Sequence, residues 1–364
     1  MKIAEIISFL ELSAHPSLQE GYDNAGLITG NSAWDCKGVL CSLDVTEEVV
    51  QEAISKKCNL IVSHHPIIFG GLKKISGQNY VEKTIITAIK KDIALYAIHT
   101  NLDNVIEGVN GKIASFLGLQ NISILSFKEN TLKKLFTFAP LDKAEQVRNA
   151  IFAAGGGHIG HYSECSFNAE GTGTFKAGEG TNPYVGVRGQ QHREKEMKIE
   201  VIFPSFLENS IVSALKNTHP YEEAAFDVVL LTNPDPSTGS GVKGELQVAL
   251  SERDFLAMLK KVFNLPVIRH TALTGKPVRK VALCGGAGSF LIPKALAADA
   301  DAFITADLKY HEFFDANGLM LIADIGHYES EQFTINLLYD VLEQKFPNFA
   351  VLKTEVNTNP VNYS

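Results

Sequence analysis

Short apolar runs that stop at polar clusters, each followed by an amphipathic stretch, recur at both ends of the chain and constrain its fold most. "GVLCSLDVT" (38–46), "NLIVS" (59–63) and "IALYAIHTNLDNV" (93–105) read as strands. Between them "EEVVQEAISKK" (47–57), capped by Thr46, and "YVEKTIITAIKKD" (80–92) read as helices. The last third repeats the pattern. "RKVALCGGAGSF" (279–290) is a strand, glycine turn and helix start, and "ADAFITADLKYHEFFDANG" (300–318) is a short strand leading into a helix. "LMLIADIGHYESEQFTINLLYDVLEQKF" (319–346) is a strand followed by a long amphipathic helix. The two ends read as related α/β halves of one domain, with polar residues at the strand ends where open α/β sheets gather their sites.

The middle differs. Residues 155–189 are rich in Gly, Ser, Thr and Asn, with strand-like "KKLFTFAPL" before them and "KEMKIEVIFP" after. With helices over 142–154 and 205–217 and a last strand at 224–232, the order is β-α-β-β-α-β, a ferredoxin-like arrangement in an α+β insert. "NPDPSTGSG" (233–241) is the turn-rich return. The expected organisation is one discontinuous domain, residues 1–127 and 243–364, interrupted by an inserted domain over 128–242.

A net charge of −8 argues against bulk attraction to nucleic acid or anionic lipid. No apolar run approaches the ~18 residues that span a membrane. The N-terminus is expected to be an amphipathic helix (Ile3, Ile6, Ile7, Leu10), not a signal peptide, because Glu5 and Glu11 interrupt it. The five cysteines are scattered without a C-x-x-C pair, which points to reduced thiols in a cytoplasmic protein.

Several histidines and carboxylates fall where the outer strands end: His64 and His65, "HTNLD" (99–103) and "GHYESE" (326–331). A helix starting near Gly326 puts His327 and Glu331 on one face, a turn apart, able to share an ion; acidic residues at a helix start have the same appearance. Side chains alternate along a strand, so His64 and His65 serve two ions, or one binds while the other supports; a core and a surface histidine are the bland reading. Asp103 and Asp44 are oxygen ligands or ordinary caps. Together three histidines and two carboxylates suit zinc, manganese or iron, as paired ions do. Gly285–Ser289 reads either as an anion-holding turn or as a plain one.

Six motifs in order, "YDNAGLITG" (22–30), "SLDVTEEVVQEAI" (42–54), "IVSHHPIIF" (61–69), "AIHTNLDNVIEGVN" (97–110), "TADLKYHEFFDA" (305–316) and "DIGHYESE" (324–331), resemble the Nif-three-like proteins, also catalogued as GTP cyclohydrolase I type II homologues. The middle, with "THPYEEAAFDVVLL" (218–231), resembles the PII-like or CutA-like insert of longer members. The resemblance implies that His64, His65, Asp103, His327 and Glu331 hold two divalent ions, within a toroidal homohexamer. The leading expectation is a metal-dependent hydrolase, GTP cyclohydrolase-like, that attacks a nucleotide or related heterocycle with a hydroxide shared by the ions. His99 and His311 read either as the groups that move the proton or as packed, hydrogen-bonded histidines. The other expectation is a metal-dependent regulatory or scaffold hexamer without turnover, whose insert binds a ligand or partner.

Overall fold

The structure is a computed structural model that describes residues 1–364. It contains two compact units, Met1–Phe127 with Ser237–Ser364, and Lys128–Pro236. No helix is long and apolar enough to cross a membrane.

In the first stretch of the outer unit, helix α1 (Ile3–Ser13) buries Ile3, Ile6, Ile7 and Leu10, the residues at helical spacing. Strands β1 (Gly26–Thr29), β2 (Val39–Ser42), β3 (Leu60–Ser63) and β4 (Ala94–Ala97) follow, with α2 (Glu47–Ser55) and α3 (Tyr80–Lys90) as crossovers. Thr46 and Asn79 cap those helices by accepting the Val49 and Glu82 N–H groups. Every residue of β2, β3 and β4 is buried, which is why each reads as an unbroken apolar run rather than an alternating one. The expected strand over 93–105 is shorter than its apolar character suggests. It ends at Ala97, and Asp103 lies on the short helix α4 (Thr100–Asp103), because the Asp23 carboxylate takes the Thr100 N–H and hydroxyl and starts a turn there. Helix α5 (Val109–Phe116) and strand β5 (Gln120–Phe127) complete this stretch.

The inserted unit runs β6 (Leu132–Pro140), α6 (Ala144–Ala153), β7 (Phe167–Lys176), β8 (Gln191–Pro204), α7 (Glu208–Thr218), β9 (Phe226–Leu230). This is the β-α-β-β-α-β order read from the sequence. Its sheet is β7-β8-β6-β9, antiparallel throughout. Leu135, Ile199, Val201 and Phe203 on one face pack on Val147 and Ile151 of α6 and Ile211 and Leu215 of α7.

The chain then forms β10 (Gly239–Leu250), α8 (Glu252–Phe263), β11 (Arg269–His270), β12 (Val278–Ala287), α9 (Ile292–Ala297), β13 (Ala302–Ala306), β14 (Leu321–Asp324), α10 (His327–Glu331), α11 (Thr334–Lys345) and β15 (Val351–Lys353). A 3-10 helix, Tyr310–Ala316, stands where a helix is expected before β14. The single long helix expected after β14 is two, since α10 ends at Glu331 and α11 starts at Thr334.

Two sheets result: β1-β4-β3-β2-β15 and β11-β14-β13-β12-β10-β5. Both contain a run of parallel strands, β4-β3-β2-β15 in one and β14-β13-β12 in the other, with an antiparallel strand (β1 or β11) beside β4 or β14. That shared motif is the structural content of the two related halves, and the class is α/β. One continuous core joins them, with Val62 and Tyr96 of one sheet and Ile304 and Ala323 of the other in the same buried cluster.

Candidate metal centre

The strand ends of the two halves meet in one cluster within the outer unit. His64 and His65 follow the last residue of β3, and their main-chain N–H groups bond to Ser42 and Leu43 carbonyls. Because β3 ends at Ser63, they are not neighbours within a strand. The alternation that would send them to opposite faces ends at Ser63, and their ring centroids lie 4.9 Å apart, beside each other. His327 and Glu331 open and close α10, with His327 Nε2 3.1 Å from Glu331 Oε2. That same oxygen is 3.0 Å from His65 Nε2 and 3.9 Å from His64 Nε2. Asp103 Oδ1 is 3.6 Å from His64 Nε2.

The outward-facing nitrogens are all occupied. His64 Nδ1 donates to the Ile98 carbonyl, His65 Nδ1 to Asp44, His99 Nδ1 to Asp23 and His327 Nδ1 to Asp307, at 2.9, 2.8, 2.7 and 2.6 Å. Fixing Nδ1 as the donor turns each Nε2 toward the cluster, and an Nε2 that gives up any proton it carries is the ligand atom of metal-binding imidazoles. Thr358, from the C-terminal tail, donates to the other oxygen of Asp44. Potential ligand atoms of His64, Asp103 and Glu331 lie within 4.8 Å of one another, as do those of His65, His327 and Glu331. A third such group is His64, His65 and His99. Glu331 belongs to the first two.

Glycines make room for this carboxylate. Gly286, with φ +60°, would bring a β-carbon within 2.4 Å of Glu331 Oε1. The Gly285–Ser289 turn is not an open anion nest: its Gly285, Gly286 and Gly288 N–H groups donate to Asn110, Ser330 and Thr305. It is a structural turn that seats Glu331.

Charge is strongly polarised here. Burial lowers the His64 pKa to about 3, whereas His65, also buried, is carried up to about 9 by its hydrogen bonds to Asp44 and Glu331. His327 reaches about 11, since Asp307 and Glu331 outweigh its burial. Burial raises Asp103; it also works upward on Glu331, but His327 and His65 hold that carboxyl well below its usual range. Titratable groups pushed apart in this way mark functional sites.

The cluster opens into a cavity of about 670 Å³, a size that suits a small-molecule ligand. Its lining holds seven carboxylates (Glu20, Asp44, Asp103, Asp307, Asp324, Glu329, Glu331) against one guanidinium, Arg269, and no lysine. Arg269 is itself committed to Asp324 at 3.0 Å. Tyr22, Phe69 and Phe290 line it with exposed rings.

The structure thus brings His64, His65, Asp103, His327 and Glu331 into one cluster, with His99 5.2 and 5.3 Å from the rings of His64 and His65. His311 stands apart, exposed on the 3-10 helix with its ring against Tyr310 and Phe314, and is not in the cavity lining. Asp23 and Asp307 carry roles that the sequence did not signal. Each follows or precedes a strand as a lone aspartate, indistinguishable there from a cap.

Fold and site together define an α/β protein with a histidine–carboxylate cluster able to hold metal at the ends of two related sheets. The chain matches the family model Duf34/NIF3 (NGG1p interacting factor 3) over residues 1–360 and belongs to that family. It is 38% identical over 372 residues to the Halalkalibacterium halodurans protein named GTP cyclohydrolase 1 type 2 homolog, covering 100% of both chains. It is 35% identical over 365 residues to the Bacillus subtilis protein of the same name, covering 99% of this chain and 98% of that one. Among solved structures, a Bacillus cereus protein related to NIF3 is similar at TM-score 0.87 and 38% identity, covering 100% of this chain and 99% of that one.

Proposed function

We propose that the chain holds two divalent cations in this cluster and acts as a hydrolase on a nucleotide or related nitrogen heterocycle, as the name of its relatives suggests. The observation that carries the reading is a pair of buried atoms, His64 Nε2 and Asp103 Oδ1, that face each other without any hydrogen-bond partner. An orphaned acceptor pair costs free energy unless a cation satisfies it. The excess of carboxylates in the lining has the same remedy. His64, Asp103 and Glu331 fit one ion, and His65, His327 and Glu331 the other, with Glu331 common to both. Imidazole nitrogen and carboxylate oxygen suit zinc, manganese or iron.

When bound, such ions supply Lewis acidity that activates water and stabilises developing negative charge. The chain's own groups do the rest. Asp44, Asp307 and the Ile98 carbonyl fix the ligand rings. His99, held through Nδ1 by Asp23, presents Nε2 as the group that gives or takes a proton. Burial works upward on Asp23, but hydrogen bonds from His99 and Thr100 keep it ionised well below the usual carboxylate range, so it fixes the tautomer of that ring. Phe69 and Phe290 offer flat apolar surface to a heterocycle.

The test is turnover of GTP by metal-loaded protein, followed as loss of purine absorbance and release of formate. Metal-dependent turnover that drops by about 10²–10⁴-fold in His99→Asn supports the reading. Absence of any metal-dependent turnover on purine nucleotides contradicts it.

A further inference from the structure

The inserted unit contains a cavity of its own, about 690 Å³, built on the sheet face opposite the helices. The register places Phe138 beside Lys198, and Gly171 beside Glu196, on this face. Glu196 is buried at 8% exposure. Gly173 of "EGTGTF" leaves room for it: a β-carbon there would stand 2.0 Å from Glu196 Oε2. The Tyr221 hydroxyl donates to Oε1 at 2.8 Å. No lysine or arginine pairs with this carboxylate, for Lys198, two residues along the strand, is bonded to Glu200 at 2.7 Å and stacked over Phe136.

A carboxylate so deep normally faces a cation or several donors, and one phenol meets only one of its roughly four acceptor positions. Glu196 shares its cavity with an aromatic cluster. Tyr221 lies 6.1 Å from the Phe175 ring and 6.2 Å from that of Tyr184. The loops carrying these rings are already tied: the Asn182 N–H donates to Glu222 at 2.9 Å, and His219 Nδ1 accepts the Tyr221 N–H at 3.1 Å. The cavity lining carries four glutamates against two lysines, which disfavours phosphates and favours a donor-rich ligand.

We propose that this cavity binds a small planar nitrogen compound that presents two adjacent N–H groups to Glu196 and lays its ring against Tyr221 and its aromatic neighbours. A guanine base and an aromatic amidinium share that edge. The site is independent of the metal cluster and of the reaction proposed there.

Calorimetric titration of the full-length protein with guanosine, inosine and benzamidine tests it. At least one of guanosine and benzamidine should bind at one site per chain. If guanosine binds, inosine, which lacks the second N–H donor, should bind at least about tenfold more weakly. Binding by guanosine alone identifies a neutral base as the ligand type, and binding by benzamidine alone a cation. Glu196→Gln should weaken the bound probe by at least about tenfold at an unchanged melting temperature. Tyr184→Ala, at a half-exposed rim position, should weaken it severalfold and carries the test if Glu196→Gln does not fold. Binding should persist in Glu331→Ala, which separates this cavity from the metal cluster. Failure of both guanosine and benzamidine to bind at millimolar concentration overturns the proposal. So does equal binding by the parent, Glu196→Gln and Tyr184→Ala, or loss of binding in Glu331→Ala alone.

Discussion

His65 shows how single residues set this site. Its Nε2 faces Glu331 because Asp44 holds Nδ1, and Asp44 is held in turn by Thr358. An asparagine at position 44 can present an amide N–H instead of an acceptor, which favours the wrong tautomer. Asp44→Asn should therefore weaken metal affinity about 10–100-fold, the usual cost of removing a group that orients a ligand. Thr358→Val should weaken it less. Competition with a chromogenic chelator measures both, and parental affinity in Asp44→Asn would refute the orienting role. The histidines themselves were legible as polar residues at the ends of apolar strands. Their supports were not, because Asp23, Asp44 and Asp307 lie 76, 21 and 20 residues from the rings they hold. Only the folded chain makes those pairs.

At the scale of elements, the decisive events are the ends of β3, β12 and β14. The rule that strand neighbours point apart misreads His64 and His65, since β3 stops one residue before them. The i, i+4 spacing of His327 and Glu331 was readable, because α10 covers just those five residues. What the sequence could not reveal is that Gly286 leaves the room the Glu331 carboxylate occupies. Gly286→Ala should lower stability by about 1–2 kcal/mol through its positive φ alone, and should also displace Glu331 and deplete bound metal. Gly275→Ala is the control: Gly275 has φ +78° with nothing within 4 Å of the added carbon. It should lose stability yet retain metal. Melting temperatures and metal content of the two variants decide this, and equal metal retention would contradict the seating role.

For the whole molecule, the insert was legible because a Gly, Ser and Thr-rich stretch interrupts two similar apolar patterns, and its six-element order follows from strand and helix periodicity. The way two separate sheets bring their ends together was not, since no local pattern encodes contact between residues some 260 apart, such as His65 and Glu331. Stability against acid is also a property of the whole chain. His219 is buried and its pKa lies below the ordinary 6.5 despite a hydrogen bond to the Phe138 carbonyl. The folded state thus binds fewer protons than the unfolded one near pH 6. Its contribution is fully present above about pH 6.5 and is lost as the pH falls from there through the depressed folded pKa. His219→Asn should flatten the fall in melting temperature between pH 7.5 and 5.5, and an unchanged slope would argue against this source. Elemental analysis of purified full-length protein shows whether the distant strand ends enclose a pair of cations. About two divalent ions per chain are expected, with marked loss in both His64→Ala and Glu331→Ala. Metal content that is the same in the parent and both variants would contradict it.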